Sequence, residues 1–306
     1  MRKIVFSLAL LLTAVSLTAS AQRRGQRGQR LLPQKEMALQ LYSLRDMIGD
    51  ADKYAQNHEQ VFKQLKSFGY TSVEAANYKD GKFYGVSAKQ FKKDVSAAGL
   101  IALSSHATYG LNDEELANHD FTKAMKWWDE AIKAHKEAGM KYIVTPYGPV
   151  PKTLKDAQTL CDYHNAVGKK CREAGISYGY HTHSHEFQKV EDQVWIDYMM
   201  RHVAPENMFW QMDVYWCVMA QQSPVEWFKK FPGRFNMLHI KDKYEVGESG
   251  MVNFEAIFRK ARLTGLQDYV VELENTDGSI TPLEGVKRSA HYLRASRFVR
   301  AAYPLK

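Results

Sequence analysis

The chain has only three cysteines among 306 residues, Cys161, Cys171 and Cys217, too few and odd in number for the disulfide framework that staples small secreted domains. Cys161 and Cys171 fall in a segment of helical periodicity, which at roughly 1.5 Å per residue sets them about 15 Å apart, beyond disulfide reach. All three are expected to serve as small apolar packing groups. Proline is also sparse, and no Pro/Ser-rich stretch interrupts the body of the chain, so no linker between domains is visible. After Leu17 no apolar run approaches the roughly 20 residues that a membrane helix needs. Acidic residues are missing from the first 30 positions, where Arg2, Lys3, Arg23, Arg24, Arg27 and Arg30 supply most of the formal net charge of +8. The rest of the chain is nearly neutral, which removes the electrostatic footprint of a protein that binds nucleic acid.

The basic start has the pattern of an export signal over residues 1–21. Arg2 and Lys3 precede an apolar run from Ile4 to Leu17, and Ala19-Ser20-Ala21 offers a small-residue cleavage site. Residues 22–34, rich in Gln, Arg and Gly, cannot bury a core and read as a basic flexible tether. No cysteine stands at the cleavage site to accept a lipid anchor. The expected location is therefore periplasmic or secreted, without a membrane span.

Residues 35–306 alternate short β-rich runs with amphipathic helical stretches. Strand candidates begin near Ala38, Thr71, Leu100, Lys141, Ile176, Met208, Phe235 and Asp268, a mean step of about 33 residues, which is the length of a βα unit. Between them, Tyr54, His58, Val61, Leu65 and Phe68 form one helical stripe. Phe121, Met125, Trp128 and Ile132 form a second, and Leu160, His164, Val167 and Cys171 a third. Gly69, Gly99, Gly139 and Gly175 each stand where a helix should close before the next strand. Eight such units in one run predict an α/β fold, a single-domain (β/α)₈ TIM barrel. The segment Asn77 to Val86 reads as a loop, and the sixth helix, near Pro224 to Phe228, as a short one.

Barrel enzymes place their chemistry at the C-terminal ends of the strands. Here the fifth strand ends in His181-Thr182-His183-Ser184-His185-Glu186, the sixth in Gln211-Met212-Asp213, the seventh in His239-Ile240-Lys241-Asp242 and the eighth in Glu272-Leu273-Glu274. Alternation along an extended strand puts His181, His183 and His185 on one face, and likewise pairs His239 with Lys241 and Glu272 with Glu274. One imidazole or carboxylate from each strand is positioned to converge on a single ion. A site of two His and two carboxylates suits Mn²⁺, Co²⁺, Fe²⁺ or Zn²⁺, and Mg²⁺ less well. Spacing alone leaves open whether His181 or His183 would be the ligand.

The runs LQLYSLRD, YGYHTHSHEF, QMDVYW, MLHIKDK and YVVELEN resemble the strand ends of the xylose isomerase-like barrel superfamily, which includes sugar phosphate isomerases and epimerases, inosose dehydratases and endonuclease IV. The resemblance spans residues 38–274 and implies that His181, Asp213, His239 and Glu272 bind one divalent metal ion. The sequence departs from two branches. Many ketose epimerases carry a Glu where His181 stands, and that Glu pairs with the eighth-strand carboxylate as acid and base. Endonuclease IV carries a zinc-binding His where Trp216 stands, which argues against DNA cleavage.

The activity implied is that of an exported metal-dependent sugar isomerase or epimerase, abstracting a proton beside a sugar carbonyl to form an enediolate. The alternatives are a lyase or dehydratase that eliminates from 3-keto-glycosides, and a sugar-binding barrel without turnover. Glu186, just past the fifth strand, is the foremost candidate base, with Glu272, Glu274, His183 and His185 behind it. Lys241 and His106 are candidates to hold a developing oxyanion. Gln40, Tyr42, His106, Trp216 and Glu274 are expected to bind substrate, alongside Arg45, Glu74 and Tyr147. No Gly-rich phosphate cradle is evident, which points to a small carbohydrate without a phosphate. No nucleic-acid partner is expected, and a homo-oligomer is compatible with the family.

Overall fold

The computed structural model describes residues 32–303. The export-signal pattern over 1–21 and most of the basic stretch over 22–34 lie outside the described residues. Eight parallel strands close into a barrel: β1 (Ala38–Gln40), β2 (Ser72–Ala75), β3 (Ile101–His106), β4 (Tyr142–Thr145), β5 (Ser177–His181), β6 (Phe209–Asp213), β7 (Met237–Lys241) and β8 (Asp268–Glu272). Neighbours in sequence are neighbours in the sheet, and β8 closes on β1 through Ala38 opposite Val270. The strand starts lie within two residues of those expected from the pattern.

Closure follows from period-2 alternation that buries both faces of each strand. Along β8, Tyr269 and Val271 face the outer core while Val270 joins an inner apolar group with Ala38, Leu103, Tyr142, Val144, Phe209 and Met237. The same parity sends Trp210 and Met212 of β6, and Leu238 and Ile240 of β7, outward under the helices. The barrel interior is therefore a packed floor and not a pore. Gly179 of β5 is required by that floor, because a Cβ there would lie 2.4 Å from the Phe209 ring. Further along β1, β2, β5, β6, β7 and β8 the same inward face becomes polar, at Gln40, Glu74, His181, Gln211, His239 and Glu272.

The outer ring includes α1 (Ala51–Phe68), α2 (Ala88–Ala97), α3 (Thr122–Glu137), α4 (Leu154–Glu173), α5 (Trp195–His202), α6 (Pro224–Lys230), α7 (Phe254–Arg259) and α8 (Pro282–Ala295). Asp50 caps α1 by accepting from the Lys53 N–H, and Thr153 caps α4 by accepting from the Asp156 N–H. Gly69 ends α1 at φ +102°, a left-handed turn that lets the chain reverse into β2. Trp128 is buried in α3 and its indole N–H donates to the Tyr163 hydroxyl, whereas Trp127 is half-buried. All three cysteines are buried and free, in keeping with their expected packing role.

Residues 77–86, expected to be a loop, contain most of a small antiparallel meander of Tyr78–Lys79, Lys82–Phe83 and Val86–Ser87. Its aromatics make the difference: Phe83 and Tyr84 are buried, Tyr84 stacks on Tyr54 of α1, and Phe83 stacks on Phe91 of α2. Among the described residues no helix is long and apolar enough to cross a membrane.

Candidate metal centre and active site

Four side chains from four consecutive strand ends meet at the mouth of the barrel. His181, Asp213, His239 and Glu272 are all buried, and each offers a ligand atom within 4.8 Å of the others. Strand register explains the convergence, since Asp213 lies opposite His239 in the β6–β7 pair and both project inward. Asp213 Oδ1 accepts from the Trp216 N–H at 2.9 Å, while Oδ2 is buried without a hydrogen-bond partner. A buried carboxylate oxygen left bare is costly, and a cation at the common centre would satisfy it.

Charge within the group is divided unevenly. Burial pushes the Asp213 carboxyl up to about 7, against the pull of Lys241 and His239. Burial also acts to raise Glu272, but its bond to His239 and the charge of Lys241 outweigh it and hold the carboxyl at about 2. His181 is driven well below its ordinary value by burial and the positive groups around it, so it stands neutral with a lone pair to offer. His239 is opposed by burial yet raised to about 10 by its bonds to Glu272 and Glu74. Two carboxylates and two imidazoles in one dry pocket form a donor set for a divalent transition metal.

Beneath the four lies a floor of hydrogen bonds centred on Glu74 of β2. Glu74 Oε1 accepts from Gln40 Nε2 (2.8 Å) and lies 2.8 Å from His239 Nε2 and 3.0 Å from His106 Nε2. Its Oε2 accepts from Ser104 Oγ (2.7 Å) and Gln211 Nε2 (2.8 Å). Burial by itself would raise this carboxyl, but the two histidines hold it well below the carboxylate range.

Above the four, a cavity of about 620 Å³ opens to solvent, lined by Tyr42, His106, Tyr147, His183, Lys241 and Glu274 among others. Its size is that of a small-molecule site. Lys241 Nζ pairs with Glu274, lies 3.5 Å from Glu272 Oε2, and sits 5.1 Å from the Trp216 ring centroid. Burial works against its charge, but the surrounding carboxylates raise its pKa and keep it a cation. His183 Nδ1 is buried without a partner, and burial pulls its pKa down to about 4, leaving a neutral imidazole. Tyr42 and Tyr147, 44% and 58% exposed, flank the mouth as aromatic faces. Arg45 steadies Tyr42 from 4.5 Å and donates to the Glu274 carbonyl.

Three expectations change with the structure. Alternation brings His183 beside His181 in the cavity, with ring centroids 4.7 Å apart, but does not carry His185 there, because the β5 ladder ends at His181 and a 3-10 turn begins at His185. His185 instead reaches back to the Gly148 carbonyl (3.0 Å) and to Glu186 (3.1 Å). Glu186 does not overhang the cavity: it is fully buried, with Oε1 accepting from the Tyr180 hydroxyl and Oε2 from the His183 N–H. Gln40, expected to touch substrate, lies fully buried in the floor, bonded to Glu74 and His106. Trp216 is half-buried beside Lys241 and His183. The depth of Glu74 and Gln211 was not foreseen, although a Glu between Val73 and Ala75 within a strand signals a buried charge that must be paired.

A closed parallel barrel with an ionisable cluster and a cavity at its C-terminal strand ends has the anatomy of a TIM-barrel enzyme. The chain belongs to the xylose isomerase-like TIM barrel family, whose model matches residues 62–296. A crystal structure of a sugar phosphate isomerase/epimerase from Parabacteroides distasonis is 36% identical and superposes with a TM-score of 0.79, covering 89% of this chain and 98% of that one. An inosose dehydratase from Geobacillus kaustophilus is 23% identical over 72% of this chain and 73% of its own length. The IolI protein with a bound zinc atom shares the fold at 13% identity and a TM-score of 0.64, over 86% of this chain and 99% of that one. Isomerases, epimerases and dehydratases of sugars are thus this chain's relatives.

Proposed function

We propose that the protein is a divalent-metal-dependent sugar isomerase or epimerase that removes the proton beside a sugar carbonyl. His181, Asp213, His239 and Glu272 would hold the metal. The observation that carries this reading is their convergence within 4.8 Å around a buried carboxylate oxygen that has no other partner. The zinc atom in the fold relative IolI is compatible with a divalent metal at this site. A metal bound there would polarise the sugar carbonyl and compensate the negative charge that develops on its oxygen.

The chain's own residues supply positioning and proton transfer. His183 lines the cavity as a neutral imidazole and is assigned as the base that takes the proton. Lys241 stays protonated and donates toward the oxygen that gains charge. Tyr42 and Tyr147 present aromatic faces against which the apolar face of a sugar ring can lie. Return of the proton from His183 to the neighbouring carbon, with the hydroxyl proton passing to the former carbonyl oxygen, gives an isomer, whereas an epimer requires a second group to protonate the original carbon from the opposite face.

A second reading, β-elimination from a keto-sugar or 3-keto-glycoside, is favoured by one observation. His181 occupies the fifth-strand position where paired-carboxylate epimerases carry a Glu, so the site lacks two opposed carboxylate bases. Elimination needs only one group to shuttle a proton. Export to the periplasm or beyond rests on the pattern of residues 1–21 alone.

The test is incubation in D₂O with keto-sugars and 3-keto-glycosides, after EDTA treatment and after restoring Mn²⁺ or Zn²⁺. Metal-dependent deuterium incorporation beside the carbonyl is expected, with product identity distinguishing isomerisation from elimination. Turnover unaffected by EDTA would defeat the metal reading. Tight sugar binding with neither label nor product would make the protein a binding barrel.

A further inference from the structure

We infer that Glu74 is a positioning residue that fixes which ring nitrogen each histidine of the centre turns toward the metal; the inference rests on the metal-binding reading above. The argument starts from a carboxylate, which at neutral pH only accepts hydrogen bonds. Gln211 places one end of its amide 2.8 Å from Glu74 Oε2, so that end is the NH₂ group. Its oxygen then faces His181 Nδ1 at 3.0 Å and His106 Nε2 at 3.1 Å. An amide oxygen accepts only, so both nitrogens must carry hydrogen. His181 is thereby left with Nε2 as its lone-pair nitrogen.

The second branch is direct. His239 Nε2 lies 2.8 Å from Glu74 Oε1 and must be the N–H end of that ring. Its Nδ1 is left toward Glu272, 3.2 Å from Oε2, on the side of the four-residue centre, and must release the hydrogen it shares with that carboxylate when it binds a metal. The remaining contact gives an independent check. Gln40 Nε2 donates to Glu74 Oε1 at 2.8 Å and lies 3.3 Å from His106 Nδ1, so Nδ1 accepts and His106 Nε2 carries the hydrogen. That is the assignment Gln211 requires from the other side. Three imidazoles and two amides thus receive one consistent orientation from a single carboxylate that is not itself a ligand.

The arrangement is the carboxylate–histidine–metal relay, in which an outer partner fixes the ring and strengthens the ligand. Here one carboxylate serves two ligands, His239 directly and His181 through Gln211. Coordination is assigned to His181 Nε2 and His239 Nδ1.

The test uses the full-length protein and Zn²⁺. Isotope-labelled histidine NMR of the zinc-loaded wild type should show His181 retaining its Nδ1 hydrogen and His239 its Nε2 hydrogen. Glu74→Gln, which swaps an acceptor for a donor at one position, should weaken Zn²⁺ binding by about 10- to 100-fold in chelator competition. Should that variant fail to fold, Gln211→Leu removes the branch to His181, together with the Gln211 contacts to His106 and Glu74, but not the direct Glu74–His239 contact, and should weaken Zn²⁺ binding while leaving the His239 signals in place. Zinc bound by the opposite nitrogens, or Zn²⁺ affinity within twofold of wild type in folded Glu74→Gln or Gln211→Leu, would overturn the inference. A wild type that takes up no stoichiometric Zn²⁺ would overturn the metal reading instead, and the inference with it.

Discussion

Asp213→Asn separates a metal ligand from a structural carboxylate, because the two roles demand opposite changes in stability. The side chain is fully buried, with Oδ1 bonded to the Trp216 N–H and Oδ2 bare. Asparagine keeps the shape and the Oδ1 bond and removes the charge. Without a cation, burial raises the carboxyl from 3.8 to about 7. At ~1.4 kcal/mol per unit, ionising it in the folded state costs about 4 kcal/mol. Below 3.8 both the folded and unfolded states keep the proton and there is no cost. As pH rises from 3.8 to about 7 only the unfolded state releases it, so stability falls, and above that the full cost applies. At pH 5 the cost has reached only about 1–2 kcal/mol.

The variant escapes this cost. In EDTA it should be more stable than the wild type by about 4 kcal/mol at pH 8 and by about 1–2 kcal/mol at pH 5. For a domain of this size, 1 kcal/mol moves Tm by about 2–4 °C, so the difference at pH 8 should be on the order of 10 °C. With Mn²⁺ or Zn²⁺ at about 100 times Kd the wild type should gain about 3 kcal/mol and the variant almost none. Scanning calorimetry at the two pH values, with and without metal, reads all four conditions. A variant less stable than wild type in EDTA at pH 8, or one that gains equally from metal, would refute the reasoning.

The other residues give further expectations. His183→Gln should lower kcat by about 10²- to 10⁴-fold while metal content, read by elemental analysis, stays at the wild-type level; a loss under tenfold would remove His183 as the base. Tyr147→Ala, which strips one aromatic face from the mouth, should raise KM by about 5- to 10-fold, equivalent to about 1 kcal/mol of ring contact, with kcat little changed. An equal fall in kcat would mean that Tyr147 acts on the reaction itself. The EDTA and D₂O experiment and the Glu74→Gln zinc competition complete the set.

The sequence by itself determined the barrel and the strand ends at which its chemistry should sit. Both follow from local backbone geometry: the two-residue alternation of a strand, the 3.6-residue stripe of a helix and the glycine that closes it are visible within a dozen residues. Ligand-type residues at or near the strand ends were legible for that reason, but spacing left His181 and His183 open, and the set His181, Asp213, His239 and Glu272 came from the family resemblance. Alternation stopped being informative where the ladder stopped. Past His181 the chain turns, and contacts of His185 with Gly148 and of Glu186 with Tyr180 decide where those side chains go. Only the closed tertiary structure made Gln40, Glu74, Ser104 and Gln211 into one hydrogen-bonded floor. They come from four strands, and their pairing exists only once the barrel has removed them from water and left each other as the available partners.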